Sequence, residues 1–330
     1  MELRSALALG LVLAIALAAA PAHARSSTPS TRPLAAASNP PSTVAPPSWT
    51  FPPGVNDIEL PAQFLNGVIV VRMNVGGRGV DLNLDTGTSF NVMDPAVIAS
   101  LADPATTGYP FTLAEAKFGS ATLHNITFAS RAFDRRYGTD KRVVGILGFN
   151  FLQSAIVKID YEHESVHVVN PAAFDPPHDA VVLELDPTAR VPLVSASIGT
   201  AMGSAFMIDT GATTVVVFAR LAKAYPNEFT ATQELRDDAQ TIYYRSFWPL
   251  CGEIQQKPYA VSQVALGKVG VRNWTVWKPE DKSCFTPPGI DGLIGYDFLR
   301  LFNVYIDYSN DRVILEPNKL YDVATNTIKP

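Results

Sequence analysis

Apolar side chains occupy every second position through Val80, Leu82 and Leu84, the period of a strand that buries one face. Upstream, Gly67 to Val75 is a second extended run, and Gly76-Gly77-Arg78-Gly79 between the two reads as a tight hairpin turn. The same figure returns later in the chain. Val191 to Ile198 is followed by a turn at Gly199 to Gly203 and then by Ser204 to Ile208. Both hairpins end in the triplet Asp-Thr-Gly, at Asp85 to Gly87 and at Asp209 to Gly211.

The match continues past the triplets. Asp94-Pro95 predicts a short amphipathic helix to about Leu101, with Asp at the N-cap and Pro at the first helical position, and Phe218 to Tyr225 repeats it at the same offset. Val143 to Leu152 then aligns with Ile290 to Leu299, each carrying an apolar-apolar-Gly step ending at Gly148 or Gly295. Each is followed by a strand bearing Ile-Asp-Tyr, Ile159 to Tyr161 and Ile306 to Tyr308. The repeated order predicts an all-β fold with few short helices, in two homologous lobes, 58–175 and 176–330.

The halves are unequal in one stretch. Asp85 to Phe118-Gly119 is far shorter than Asp209 to Leu266-Gly267, which places an insertion of roughly two dozen residues in the second lobe. It holds Tyr243, Tyr244, Phe247, Trp248 and Cys251. A hairpin there is a candidate flap over a cleft; the alternative is a surface loop whose aromatics cover their own lobe.

The ends behave differently from the lobes. Arg4, the apolar run from Ala6 to Ala20 and Ala22-His23-Ala24 read as a signal peptide over residues 1–24, so the chain is expected to be exported, periplasmic or secreted, without a stable membrane anchor after cleavage. Residues 25–57, dense in Pro, Ser, Thr and Ala, read as a disordered leader. The net charge of −5, with no basic block, argues against nucleic-acid or anionic-lipid partners. The two cysteines, Cys251 and Cys284, are a candidate disulfide in an oxidising compartment, or else two buried thiols.

The triplets and their flanks, Leu84-Asp85-Thr86-Gly87-Thr88 and Ile208-Asp209-Thr210-Gly211-Ala212, with the segments ending at Gly148 and Gly295, resemble the aspartic proteases of the pepsin and retropepsin superfamily in a compact tandem form. The resemblance spans nearly the whole chain beyond the leader. It implies a bilobal fold with a cleft between the lobes, an Asp85 and Asp209 pair activating one water, no cofactor or metal, a polypeptide substrate and a monomeric enzyme. It also implies that Thr86 and Thr210 brace the interface between lobes. A short loop around Gly108-Tyr109-Pro110 stands where the first-lobe flap of the family belongs.

The residues support that chemistry independently. Two carboxyls held close cannot both ionise cheaply, so one serves as base and the other as acid. Gly87 and Gly211 let the backbone turn beneath the carboxyls and aim N–H groups at them. Thr88 carries a hydroxyl able to bond Asp85, whereas Ala212 has none for Asp209, so Asp85 is expected to ionise more readily. The alternatives are a catalytically silent peptide-binding module on the same fold, and lobes that pair between chains.

Other clusters carry less. His163 and His167 with Glu162 and Glu164 lack zinc-type spacing and read as a solvated strand or turn. Gly76 to Gly79 precedes a strand rather than a helix, which suits a hairpin and not a phosphate cradle. Asn125-Ile126-Thr127 and Asn273-Trp274-Thr275 fit glycosylation sequons.

Overall fold

The computed structural model describes residues 45–101, 110–229, 242–245, 253–279 and 288–325. In the first half, β1 (Ser48–Thr50), β2 (Asp57–Leu60), β3 (Ala62–Leu65), β4 (Val68–Val75), β5 (Arg78–Leu84) and β6 (Val92–Met93) precede α1 (Pro95–Leu101). Then come β7 (Phe111–Phe118), β8 (Ala121–Ser130), β9 (Val143–Leu147), α2 (Phe149–Leu152), β10 (Ile156–Asp160) and β11 (Ser165–Val169). The second half opens with β12 (Val181–Glu184), β13 (Leu193–Ile198), β14 (Ala201–Ile208), β15 (Val216–Val217) and α3 (Ala219–Ala224). It continues through β16 (Ile242–Arg245), β17 (Glu253–Leu266), β18 (Val269–Pro279), β19 (Gly292–Ile294), α4 (Tyr296–Leu299), β20 (Phe302–Asp307), β21 (Arg312–Pro317) and α5 (Lys319–Thr325).

Each half closes a barrel. In the first, β4, β5, β9, β6, β8 and β7 pair in a ring that returns to β4; in the second, β13, β14, β19, β15, β18 and β17 do the same. The directions agree strand for strand: β5 and β14 run parallel to β9 and β19, while β6 and β15 run antiparallel to them. Closure leaves no free edge within either ring. Val80, Leu82 and Leu84 point into the large apolar core with Ile69, Val71 and Met73 of β4.

The halves also share a sheet, an arrangement that two self-contained lobes do not require. β10 and β20, the Ile-Asp-Tyr strands, pair antiparallel, and the sheet extends as β12-β21-β20-β10-β11-β2. Asp160 and Asp307 at their ends cap the following turns: Asp160 accepts the N–H of His163 at 3.0 Å, and Asp307 accepts Asn310 N–H at 3.2 Å and Arg312 Nε at 2.7 Å. The repeated Asp is thus a turn anchor in both copies.

Several expectations are revised. β5 is not half-buried: Asp81 and Asn83, on the face opposite Leu82 and Leu84, are also buried, because the barrel wall is covered on its outer side. The turn between β13 and β14 takes only Gly199 and Thr200, and Gly203 lies within β14, where a Cβ would meet the Phe206 ring at 2.7 Å. The leader, expected to be disordered through residue 57, supplies β1 and the start of β2. Trp49 packs tilted against Phe118 and edge to face against Phe151 and donates to Ser154 at 2.8 Å, an apolar anchor that the average composition of the segment conceals.

The two sequon asparagines have a local conformational explanation. Asn125 and Asn273 occupy equivalent places in β8 and β18 with φ of 56° and 55°, a left-handed conformation that Asn adopts more readily than most residues.

Candidate active site

Both Asp-Thr-Gly triplets begin where a strand lies alongside a parallel neighbour. The Asp85 N–H donates to Leu147 of β9, and the Asp209 N–H to Ile294 of β19, each at 3.0 Å. The glycine that follows each neighbour permits close approach of the chain after the triplet: a Cβ on Gly148 would stand 2.4 Å from the Thr88 carbonyl oxygen, and one on Gly295 would stand 2.5 Å from that of Thr214. Phe149 N–H then donates to Thr88 and Tyr296 N–H to Ala212. The apolar-apolar-Gly segments therefore hold the triplets in place, which is why triplet and segment recur together.

The carboxyls face one another. Gly87 N–H donates to Asp85 Oδ1 at 2.9 Å and Gly211 N–H to Asp209 Oδ1 at 2.8 Å. A Cβ on Gly87 would stand 2.7 Å from the Asp209 carboxyl carbon, and one on Gly211 the same distance from that of Asp85. The two side chains are within hydrogen-bonding reach of each other, and both residues are buried. Thr88 Oγ1 donates to Asp85 Oδ2 at 2.9 Å, while Asp209 Oδ2 has no hydrogen-bond partner among the described residues.

These contacts separate the two acids. Burial pushes Asp85 up to about 6, with the Thr88 hydroxyl, the Gly87 N–H and Asp209 acting against it. Asp209 rises well above the ordinary carboxyl range through burial and then the charge of Asp85. Both acids are thus raised by burial, and the hydroxyl of Thr88 lowers Asp85 where Ala212 offers Asp209 no counterpart.

The threonines interlock across the lobes. Thr86 Oγ1 donates to the Ile208 carbonyl at 2.6 Å and accepts the Thr210 N–H at 3.0 Å. Thr210 Oγ1 donates to the Leu84 carbonyl at 2.9 Å and accepts the Thr86 N–H at 3.1 Å. All four groups are buried, so each bond satisfies a backbone group that water cannot reach. A second symmetric pair lies behind them: Tyr161 meets Tyr296 at 5.8 Å and Tyr308 meets Phe149 at 5.0 Å, both edge to face.

Asn91 is a support that the sequence reading missed. Its Oδ1 accepts the Gly148 N–H at 2.8 Å and its Nδ2 donates to the Thr127 carbonyl at 3.1 Å, tying β9 to β8 beneath Asp85. The signal was a polar residue where the second copy has Val215.

The candidate flap is placed only in part. Tyr243 and Tyr244 lie in β16, which pairs antiparallel with β17 opposite Gln255 and Ile254, so the insertion contains a hairpin that extends the barrel. Phe247, Trp248, Cys251, Cys284, Gly108 and Tyr109 lie outside the described residues, as do the signal segment and the leader up to residue 44. His163 and His167 stand apart from the site, bonded to Asp160 and to Asp57.

No family model and no curated protein matches the sequence. In three dimensions the chain is similar to the aspartic proteinase from Irpex lacteus, with a TM-score of 0.51 over 82% of this chain and 100% of that one, at 14% sequence identity. With its two matched barrels and few short helices, the chain has the bilobal pepsin-like fold.

Proposed function

We propose that the chain is an exported aspartic endopeptidase in which Asp85 and Asp209 activate one water between them. The observation that carries this reading is the reciprocal packing of each triplet glycine against the other lobe's carboxyl, which brings two buried acids into mutual reach. Asp85, ionised, takes a proton from the water as its oxygen attacks the peptide carbonyl carbon. Asp209, protonated, gives its proton to the carbonyl oxygen. Collapse of the diol then breaks the C–N bond as Asp85 gives its proton to the leaving nitrogen and Asp209 takes one from a diol hydroxyl, which restores the pair. The chemistry asks for no group beyond the two acids and the water.

A polypeptide lying extended between the barrels suits such a dyad, because backbone hydrogen bonding gives affinity and alternate side chains give selectivity. The fold likeness to an aspartic proteinase and the signal-like N-terminus support the same reading. Incubating the protein, freed of residues 1–24, with denatured polypeptides from acid to neutral pH tests it, with Asp209→Asn as control. Cleavage by the parent alone is expected. Equal cleavage by both would overturn the dyad, and cleavage by neither would favour the silent peptide-binding module.

A further inference from the structure

Register places Asn83 and Met207 in equivalent positions of the two barrels. Asn83 pairs with Val70 and Ile146; Met207 pairs with Leu193 and Leu293. Each stands two residues before its catalytic aspartate, so Asn83 shares a strand face with Asp85, and Met207 with Asp209. These faces are not inside the barrels. Val70 and Ile146 belong to a cluster beside the dyad whose half-buried rim is Leu65, Phe90 and Tyr137. Met207, Leu193 and Leu293 belong to the matching cluster of the second lobe, with Ala212, Ile290 and a half-buried Trp277.

The two walls have opposite chemistry. The second-lobe wall is apolar at each of these positions. On the first-lobe wall Asn83 is 1% exposed, and neither its side-chain oxygen nor its side-chain nitrogen has a hydrogen-bond partner among the described residues. The Tyr137 hydroxyl is in the same condition. Tyr137 sits in the loop between β8 and β9 at a φ of 42°, and its carbonyl accepts Asn66 Nδ2 at 2.8 Å. Its ring packs against the cluster that holds Val70 and Ile146, the strand neighbours of Asn83, and burial, then the charge of Asp85, push its hydroxyl pKa up. A left-handed, non-glycine tyrosine and an orphaned amide are both unfavourable to the fold, and packing alone explains neither.

We propose that Asn83 and Tyr137 form a polar specificity pocket that receives a carboxamide side chain of the substrate, glutamine or asparagine, while the Met207 wall receives an apolar side chain across the scissile bond. The amide of Asn83 offers one acceptor and two donors, and the Tyr137 hydroxyl one of each, a set that a carboxamide satisfies and an aliphatic side chain leaves unpaired. The assignment rests on the cleft being the peptide site proposed above.

Binding separates the two claims. Peptides with a reduced CH2–NH link in place of the scissile amide, carrying glutamine or leucine on either side of it, are titrated calorimetrically into parent, Asn83→Leu and Tyr137→Phe proteins. The parent is expected to prefer glutamine on one side only, by roughly tenfold over leucine. Asn83→Leu should invert that preference, and Tyr137→Phe should weaken it several-fold. Asn83→Leu should also hold or raise the thermal midpoint, because it removes an unpaired amide. An unchanged ranking in Asn83→Leu, or a clear fall in its midpoint, overturns the pocket. The glutamine ranking without cleavage of any polypeptide would retain the pocket and refute the endopeptidase; cleavage without the ranking would do the reverse.

Discussion

Thr88 donates its hydroxyl to Asp85 Oδ2 at 2.9 Å, and the equivalent position beside Asp209 is Ala212. A donor to the charged form lowers a carboxyl pKa, so this bond works against the burial that raises Asp85. Thr88→Ala should move the acid limb of the pH–rate profile upward by on the order of one pH unit, the scale of one hydrogen bond to a charge. The limb is read from kcat/KM between pH 3 and 7, and an unchanged limb would refute the division of roles.

Gly87 and Gly211 make a separate prediction, because each Cα faces the other lobe's carboxyl. A methyl group at Gly87 would stand 2.7 Å from the Asp209 carboxyl carbon, a distance that forces the lobes or the acids apart. Gly87→Ala should lower kcat by orders of magnitude and destabilise by about 1–3 kcal/mol through overpacking. The same is expected of Gly211→Ala. Parent-like turnover in either would mean that the acids act at a wider separation than the structure has.

The crossed threonine bonds should behave as one unit. Thr86→Val keeps the shape but leaves the Ile208 carbonyl and the Thr210 N–H without their partner. Each unsatisfied buried group costs about 1–3 kcal/mol, and Thr210→Val strands the corresponding pair around Leu84 and Thr86. The double variant should be less destabilised than the sum of the singles, since both sets of bonds hold the same two backbone segments against each other. Denaturant unfolding of the four proteins measures the difference; strict additivity would separate the two threonines.

Much of this site was legible because duplication writes it twice. Asp85 and Asp209, their glycines and the segments ending at Gly148 and Gly295 are visible as a spaced repeat, and the structure brings them together for the reason that they recur: one pins the other. Asn83, Asn91 and Tyr137 were not legible in that way. Asn83 and Asn91 depart from their copies, Met207 and Val215, so repetition does not mark them, and Tyr137 lies in the loop between β8 and β9, outside the repeated elements. The sheet joining β10 to β20 was also hidden, because periodicity shows that Ile159 and Ile306 lie in strands but not that the two strands meet. Trp49 was lost in a Pro- and Ser-rich average, though one indole can anchor a short strand.

The dyad sets an unusual pH dependence of stability. Asp85 titrates at about 6 in the fold, against an ordinary carboxyl near 3.8, so between those values the folded chain holds a proton that the unfolded chain has released. Stability then falls as pH rises through this window, and Asp209, raised further, extends the fall upward. Asp297, pushed up to about 7 chiefly by burial, has the same sign. Asp160 has the opposite sign: despite its burial, the N–H groups of His163 and the charge of Lys158 hold it low, and its contribution is lost in stronger acid. The thermal midpoint should peak at about pH 4 and decline toward neutrality. Asp209→Asn removes one raised acid and the repulsion on the other, so its decline should be shallower; a parent-like slope would show that the pair does not titrate in the folded protein.

The shared sheet bears on whether one chain completes the site. β10 and β20 pair from Val157 opposite Ile306 to Asp160 opposite Asn303, joining the halves through backbone hydrogen bonds. Thr86 and Thr210 interlock within the same chain, and the aromatic pairs Tyr161 with Tyr296 and Phe149 with Tyr308 pack across the same boundary. Exchange of halves between two chains would have to break these contacts together, including buried hydrogen bonds that water cannot replace. Mixing Asp85→Ala with Asp209→Ala proteins should therefore recover no activity, even after prolonged incubation at high concentration. If activity rises toward a quarter of the parent's, as random pairing of halves predicts, then the lobes assemble between chains and the single-chain site is wrong.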